Sequence, residues 1–119
     1  MSSALQVFRR NPESDHSLVI MELEQRLPIT NKYGLHARAS TRLAQIAQKY
    51  TSEVSIARES NNGEGSIVTS EEVDAKSVLG ILSLGAECGD HVRLRVSGED
   101  AKVALAELAN LVQQKFQEE

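Results

Sequence analysis

Residues 91–116 read HVRLRVSGEDAKVALAELANLVQQKF and contain a strand followed by a helix. Val92, Leu94 and Val96 alternate with polar residues, which is the period of a strand that buries one face. Residues 97–100 resemble a capping sequence, and the apolar residues after them recur at helical spacing. These apolar residues are Ala101, Ala104, Leu105, Leu108, Leu111, Val112 and Phe116. The stretch therefore predicts a helix that packs on one face of a sheet whose other face meets water.

Further elements precede this stretch and follow the same two periods. They are a strand within residues 19–29, a helix after the turn at 31–34, a short strand at Val54 and Ile56, its hairpin partner within 67–73, and a brief helix between Ser77 and Gly85. Pro28 has no N–H to donate, so the first strand is expected to lie at an edge or to fray there. The order β-α-β-β-α-β-α predicts an α+β fold of two layers, a four-stranded antiparallel sheet with three helices on one face.

The chain has 119 residues, a length that fits a single domain. Residues 1–18 show neither the helical nor the strand period, and they predict a flexible N-terminal tail. Residues 19–119 then form the folded domain. A chain of this length leaves no room for a second domain that closes over a cleft.

Composition and charge argue against several classes of function. The 13 Lys and Arg residues against 17 Asp and Glu residues give a formal net charge of −4, and aromatic residues make up 3% of the chain. The sequence predicts neither a positively charged surface for phosphates nor enough aromatic side chains on which bases could stack. Both points argue against nucleic-acid binding. Cys88 is the only cysteine, and no apolar run approaches the ~18 residues that span a bilayer. We expect a cytoplasmic protein without membrane insertion that holds neither a metal nor another cofactor.

His36 is a candidate for a chemical role because it lies where a predicted turn ends and a predicted helix begins. The first N–H groups of a helix have no intrahelical acceptor, and the macrodipole adds partial positive charge there. An anion beside His36 would be stabilised, and Arg38 and Arg42 could add full positive charges. These features suit a phosphoryl acceptor. Position alone, however, favours the simpler alternative that His36 is an ordinary residue at a helix boundary.

Two stretches of the chain resemble one known family. Residues 31–38, NKYGLHAR, resemble the active-site signature of HPr, the histidine-containing phosphocarrier of the phosphoenolpyruvate-dependent phosphotransferase system. Residues 75–86, AKSVLGILSLGA, resemble the segment around the regulatory serine of that family. The resemblance extends from about residue 22 to residue 116. Two motifs in the same order make a chance match improbable, so the phosphocarrier interpretation is preferred to the helix-boundary alternative.

The resemblance implies roles for two residues of the first motif. His36 would be phosphorylated on Nδ1 by the phosphohistidine of enzyme I and would pass the group to a histidine on IIA domains of sugar permeases. Arg38 would orient the phosphoryl group and neutralise its charge. The chain would be a carrier and not an autonomous enzyme, in agreement with a sequence without a nucleophile–base pair or a glycine-rich phosphate loop. Ala39 departs from the common family pattern, in which proline follows the arginine, and we expect transfer to survive this change.

Ser77 has two expected roles. Its hydroxyl can cap the short helix that follows, and the resemblance makes it the target of an HPr kinase/phosphorylase. A phosphate there would add nearly two negative charges and would repel acidic partner surfaces. We therefore expect a switch that weakens binding to enzyme I without unfolding the protein. A transcription regulator is a further candidate partner.

A docking surface is expected around the same short helix. The residues assigned to it are Lys32, Arg42, Lys76, Val78, Leu79 and Leu84. The three apolar members cannot all face inward on so short a helix, so part of the set should be exposed beside His36. The three basic members, together with Arg38, would favour fast and brief encounters with acidic partners. The protein is expected to act as a monomer.

Two alternative functions stay open. One is a phosphocarrier of the nitrogen-related branch, which feeds a IIA domain that controls other proteins and no sugar permease. The other is a regulatory binding module that acts through phosphorylated Ser77 on a transcription factor or an enzyme. The presence of both His36 and Arg38 argues against the module as the only role.

Overall fold

Antiparallel strands form one sheet in the part of the chain that the computed structural model describes, residues 4–10 and 19–118. The strands are β1 Ala4–Arg10, β2 Val19–Pro28, β3 Glu53–Asn61, β4 Ile67–Thr69, β5 Val73–Asp74 and β6 His91–Gly98. The helices are α1 Ala37–Gln48, α2 Val78–Ser83 and α3 Ala101–Gln113, followed by a 3₁₀ helix at Lys115–Gln117. The order across the sheet is β1-β2-β6-β3-β4, and β5 also pairs with β3.

The core lies on the face of the sheet that the helices cover. Val92, Leu94 and Val96 of β6 are fully buried and the residues between them are half-buried, as their alternation predicts. The large side chains that are almost completely buried come from both layers and include Leu27, Ile29, Leu43, Ile56, Ile81, Leu94, Leu108, Val112 and Phe116. The prediction of an α+β fold with an open antiparallel sheet and three helices is confirmed.

The opposite face of the sheet is covered by charged side chains. Arg93 Nε lies 3.0 Å from Oε1 of Glu24, and an Nη atom of Arg95 lies 3.5 Å from the same oxygen. Glu72 contacts both arginines, at 3.5 and 3.4 Å. Partly exposed pairs of this kind contribute about 0–1 kcal/mol each, so the buried face and not this one holds the fold together.

β1 is an element that the sequence pattern does not predict. Ala4–Arg10 falls in the expected flexible tail, but it pairs with residues 19–25 of β2 in an unbroken antiparallel register. The prediction is therefore wrong for these residues, and the sheet has more than the four predicted strands. Residues 11–18 lie outside the described part of the chain. Pairing along the edge of a neighbouring strand uses backbone groups and requires no alternation of side chains, which is why periodicity misses β1.

Pro28 occupies the end of β2. It pairs with His91 on β6, and within the described residues the pairing of β2 with β1 runs from Val19 to Gln25. β2 is not an edge strand, because β1 flanks it on the side away from β6, so the prediction that this strand lies at an edge is wrong. Within residues 4–10 and 19–118, none of the helices is long and apolar enough to cross a membrane.

The starts of α2 and α3 are capped in different ways. Oγ of Ser77 accepts from the N–H of Gly80 at 3.0 Å, which confirms the predicted cap of α2. Asp100 occupies the N-cap position of α3 but makes no cap bond with its side chain, so the predicted capping sequence is wrong there. Hydrogen bonds from the Ser52 side chain and from the N–H of Thr51 lower the pKa of Asp100 to about 2. Asp100 therefore ties α3 to the loop before β3.

Candidate functional site

The turn before α1 is held by contacts on both sides. Gly34 has φ +62°, which favours glycine, and its N–H donates to the carbonyl of Asn31 at 3.2 Å. The side chain of Asn31 is fully buried, and its amide nitrogen donates to the Gly34 carbonyl at 2.7 Å. Leu35 donates its N–H to the carbonyl of Ala86 at 3.0 Å. The turn that positions His36 is therefore fixed to the segment after α2.

His36 is the N-cap residue of α1. Its backbone is extended, with φ −76° and ψ −177°, and its carbonyl accepts from the N–H of Ser40 at 2.9 Å. The ring nitrogen Nδ1 accepts from the N–H of Arg38 at 3.3 Å. Nδ1 is thus unprotonated in this arrangement and faces the first turn of the helix. The ring presents a nitrogen lone pair where backbone N–H groups lack intrahelical acceptors and the helix dipole is positive.

The other ring nitrogen of His36 contacts Glu118, a residue that sequence reasoning missed. Nε2 bonds to Oε2 of Glu118, and the second carboxylate oxygen accepts from the Asn31 amide at 2.7 Å. Partial burial by itself would raise the pKa of Glu118. Hydrogen bonds from Asn31 and His36, together with the charges of His36 and Arg38, have the larger combined effect, so the pKa is lowered from its ordinary value. Glu118 is consequently ionised at neutral pH. Local patterns carry no signal for this contact, because 82 positions separate the two residues.

Glu118 reaches the site because the chain changes direction after α3. Lys115, Phe116 and Gln117 have left-handed backbone, with φ +55°, +57° and +62°. The helical spacing places Phe116 on the apolar face of α3, and this prediction is wrong: Phe116 is fully buried, but it lies beyond the helix. Its carbonyl accepts from the guanidinium of Arg42. Arg42 therefore binds the C-terminal segment, and the burial of one aromatic ring sets the position of the carboxylate two residues later.

A cleft of about 310 Å³ opens here and is lined by Lys32, Tyr33, His36, Arg38 and Glu118. The Tyr33 ring meets the His36 ring edge-on, with 6.0 Å between the ring centroids. Nζ of Lys32 lies 5.2 Å from the centroid of the exposed Tyr33 ring. The cleft combines a nucleophilic nitrogen, two exposed cations and one fixed carboxylate. In the described part of the chain, no group of three or more His, Cys, Asp or Glu residues could hold a metal ion.

Ser77 and Lys76 lie at the opposite end of α1 from His36. The carbonyl of Lys76 accepts from the side chain of Gln48 at 2.8 Å, and Nζ of Lys76 donates to the carbonyl of Tyr50 at 2.8 Å. These partners are at the C-terminal end of α1, whose 12 residues span about 18 Å. The ammonium group of Lys76 thus binds a backbone carbonyl at the end of α1 away from His36, and the docking role assigned to Lys76 stays a prediction.

The predicted apolar patch is only partly exposed. Leu79 is 79% exposed, whereas Val78 is half-buried and packs against the core. Leu84 is 7% exposed and belongs to the core, so its assignment to an accessible partner surface is wrong. The reason is helical geometry: Leu84 follows the buried Ile81 by three residues and shares its inward face, while Leu79 points away. Lys32 and Arg38, both exposed, are the predicted basic residues that line the cleft.

Comparison with known proteins adds independent support. The sequence model of a family described as "PTS HPr component phosphorylation site" matches residues 23–114. The chain is 38% identical over 97 residues to phosphocarrier protein HPr of Xylella fastidiosa, a match that covers 82% of this chain and 98% of that protein. It is 39% identical over 97 residues to phosphocarrier protein NPr of Shewanella violacea, covering 82% of this chain and 96% of that protein.

Solved structures agree with this result. A crystal structure of HPr from Thermoanaerobacter tengcongensis matches with a TM-score of 0.67 and 35% sequence identity, over 81% of this chain and 97% of that one. A structure of HPr from Bacillus anthracis matches with a TM-score of 0.65 and 30% identity, over 77% of this chain and 98% of that one. The fold, the sequence and the matched residues lead to one conclusion. The chain belongs to the HPr family, the phosphocarriers of the phosphotransferase system.

Proposed function

We propose that His36 accepts a phosphoryl group on Nδ1 from the phosphohistidine of enzyme I and donates it to a histidine of a IIA domain. The observation that carries this proposal is the orientation of the ring, with Nδ1 at the start of α1 and Nε2 occupied by Glu118. The contact that Nδ1 makes with the N–H of Arg38 is long, at 3.3 Å, and is easily given up to an incoming phosphorus atom.

The transfer step involves only the two histidines and the phosphoryl group. The Nδ1 lone pair of His36 forms the new N–P bond while the N–P bond of the donor breaks, and its electron pair returns to the donor ring. The phosphoryl oxygens then lie near the first-turn N–H groups of α1 and the Arg38 guanidinium. Ala39, in place of the usual proline, adds one N–H donor to this turn. A solvated cleft with these few donors holds the group without trapping it.

We propose that partner proteins dock on this chain through one apolar contact and through nearby positive charges. Leu79 offers the most exposed large side chain of α2, with half-buried Val78 beside it. Lys32 and Arg38 supply exposed cations at the cleft. This combination suits brief encounters of a monomer with acidic surfaces on enzyme I and IIA domains, because charge steers association without making the complex long-lived. A cytoplasmic location stays an expectation that follows from these partners.

Ser77 is proposed as the site of regulation by an HPr kinase/phosphorylase. Substituting Ser77→Ala is expected to lower the free energy of unfolding by about 1 kcal/mol, since the bond to the Gly80 N–H is lost. Substituting Ser77→Asp should keep the fold, because an anion at a helix start is tolerated, but should slow transfer from enzyme I. Urea unfolding and phosphorylation kinetics measure the two effects.

The matched control for Ser77→Asp is Ser66→Asp, which adds the same charge to the exposed hairpin loop. Ser66→Asp should transfer at the rate of the unmodified protein. Equal transfer rates for Ser77→Asp, Ser66→Asp and the unmodified protein would contradict a switch that acts through enzyme I binding.

The nitrogen-related branch is the second candidate function, and the 39% identity to a protein named NPr supports it. In that branch the acceptor is a IIA domain that controls other proteins. Incubating the phosphorylated protein with IIA domains of both kinds, and comparing the initial transfer rates, separates the two. A regulatory module acting only through phosphorylated Ser77 would transfer to neither.

The decisive experiment is the intact mass of the protein after incubation with phosphoenolpyruvate, magnesium and a catalytic amount of enzyme I. The expected result is the gain of one phosphoryl group that is lost in mild acid and absent from His36→Ala. Such a result requires the N–P bond to be on this histidine. The absence of any mass gain, with an enzyme I that phosphorylates another HPr protein in the same assay, would reject the carrier function.

A further inference from the structure

Glu118 approaches His36 through a segment that the family match does not include. The matched region ends at residue 114, and the reversal that carries Glu118 back to the cleft is formed by residues 115–117. The carboxylate at Nε2 thus lies outside the family match, and its contacts with His36 and Asn31 are evident only in the tertiary structure.

We propose that Glu118 is a positioning residue for phosphoryl transfer, which holds the proton of the His36 ring on Nε2 and keeps Nδ1 free to attack phosphorus. This inference rests on the proposed function and names a further residue for it. When the carboxylate accepts a hydrogen bond from Nε2–H, the ring is restricted to the tautomer with an unprotonated Nδ1. The same bond fixes the rotation of the ring, so that Nδ1 faces the start of α1.

Asn31 contacts the carboxylate directly, and Phe116 and Arg42 anchor the segment that carries it. The amide of Asn31, a fully buried residue, donates to its second oxygen at 2.7 Å. Phe116 is fully buried two residues earlier, and its carbonyl accepts from Arg42. The Glu118 side chain is only 13% exposed, against 31% for His36. An incidental surface contact would lack these constraints, because an unrestrained side chain would remain solvated.

The negative charge of the Glu118 carboxylate also balances the positive charge that develops on the His36 ring during transfer. As the Nδ1 lone pair forms the N–P bond and the donor N–P bond breaks, positive charge builds up on the His36 ring. The proton stays on Nε2, where the ionised carboxylate of Glu118 balances that charge, and no proton has to leave the site. In the reverse direction, the same bond keeps the proton on Nε2 when the phosphoryl group departs.

The test compares Glu118→Ala and Glu118→Gln with the control Glu64→Gln, which removes the same charge from the exposed hairpin loop. We expect Glu118→Ala to slow phosphorylation of His36 by enzyme I by about 10-fold, the effect of losing one hydrogen bond to a charged group. Glu118→Gln, which keeps an acceptor oxygen but no charge, should fall between Glu118→Ala and the unmodified protein. Glu64→Gln should be unchanged.

A second measurement does not depend on catalysis. The ¹⁵N chemical shifts of the His36 ring, recorded at alkaline pH, report the proton occupancy of each nitrogen. In the unmodified protein we expect Nε2 to carry the proton almost completely, and in Glu118→Ala the proton should distribute over both nitrogens. Unchanged shifts together with an unchanged rate in Glu118→Ala would overturn the inference. An unmodified protein that accepts no phosphoryl group would instead overturn the proposed function, and the ring shifts would still decide the role of Glu118.

Discussion

Substituting Gly34→Ala is expected to lower the free energy of unfolding by about 2–5 kcal/mol. Gly34 has φ +62°, where an alanine costs about 1–2 kcal/mol. A Cβ atom would lie 2.5 Å from the carbonyl oxygen of Ala86 and 2.7 Å from Cα of Glu87. Both are backbone atoms and cannot rotate aside, so the overlap adds a strain of about 1–3 kcal/mol. Urea unfolding followed by circular dichroism measures the loss.

The control is Gly63→Ala in the hairpin loop. Gly63 has φ +85°, but its Cβ would meet nothing within 4 Å. This substitution should therefore carry only the conformational cost of about 1–2 kcal/mol. If Gly34→Ala and Gly63→Ala destabilise the protein equally, the close approach between the site turn and the segment after α2 is not a real constraint. We also expect Gly34→Ala to slow phosphorylation of His36, since the turn that positions the ring must move.

Phe116→Ala is the second substitution with a large expected effect, a loss of about 3–5 kcal/mol in the free energy of unfolding. Phe116 is among the largest side chains that are fully buried, and its removal leaves a cavity beside α1 and α3. Because its ring anchors the C-terminal segment, the change should also release Glu118 from His36. Thermal and urea unfolding report the first effect, and the ring ¹⁵N shifts of His36 report the second.

Val103→Ala is the matched control on α3, since Val103 is 61% exposed. It should change the free energy of unfolding by no more than about 0.5 kcal/mol, as surface substitutions usually do. Phe116→Leu, which keeps most of the apolar volume, should cost less than Phe116→Ala. A loss below about 1 kcal/mol for Phe116→Ala would mean that the C-terminal segment does not depend on this ring.

Much of the fold could be predicted from short-range patterns. The alternation in β6 and the helical spacing in α1 and α3 are sufficient to place these elements in the two-layer fold. The cap of α2 by Ser77 was also predictable, because the hydroxyl and the N–H that it accepts from are three residues apart. In each case the interaction that decides the structure is within a few residues of the chain, or the pattern itself reports which face is buried.

The errors have a different origin. β1 depends on a neighbouring strand edge, and its backbone bonds carry no signature in the side chains. Lys76 was assigned to one docking surface with Lys32, but the packing of α2 on α1 places its ammonium group at the end of α1 away from His36. Leu84 was assigned to the docking surface, yet its three-residue offset from Ile81 turns it inward. These outcomes depend on which elements pack together.

The sequence by itself therefore determined the class of fold, the family signature around His36 and Arg38, and the serine that caps α2. The tertiary structure alone decided the surroundings of the histidine ring. Glu118 lies 82 positions away from His36 in the sequence. A buried phenylalanine and a left-handed turn bring it to the ring, and no local sequence pattern predicts either of them. The physical reason is that helix and strand periods arise from contacts between near neighbours in sequence, whereas a site assembled across a domain depends on how distant surfaces fit together.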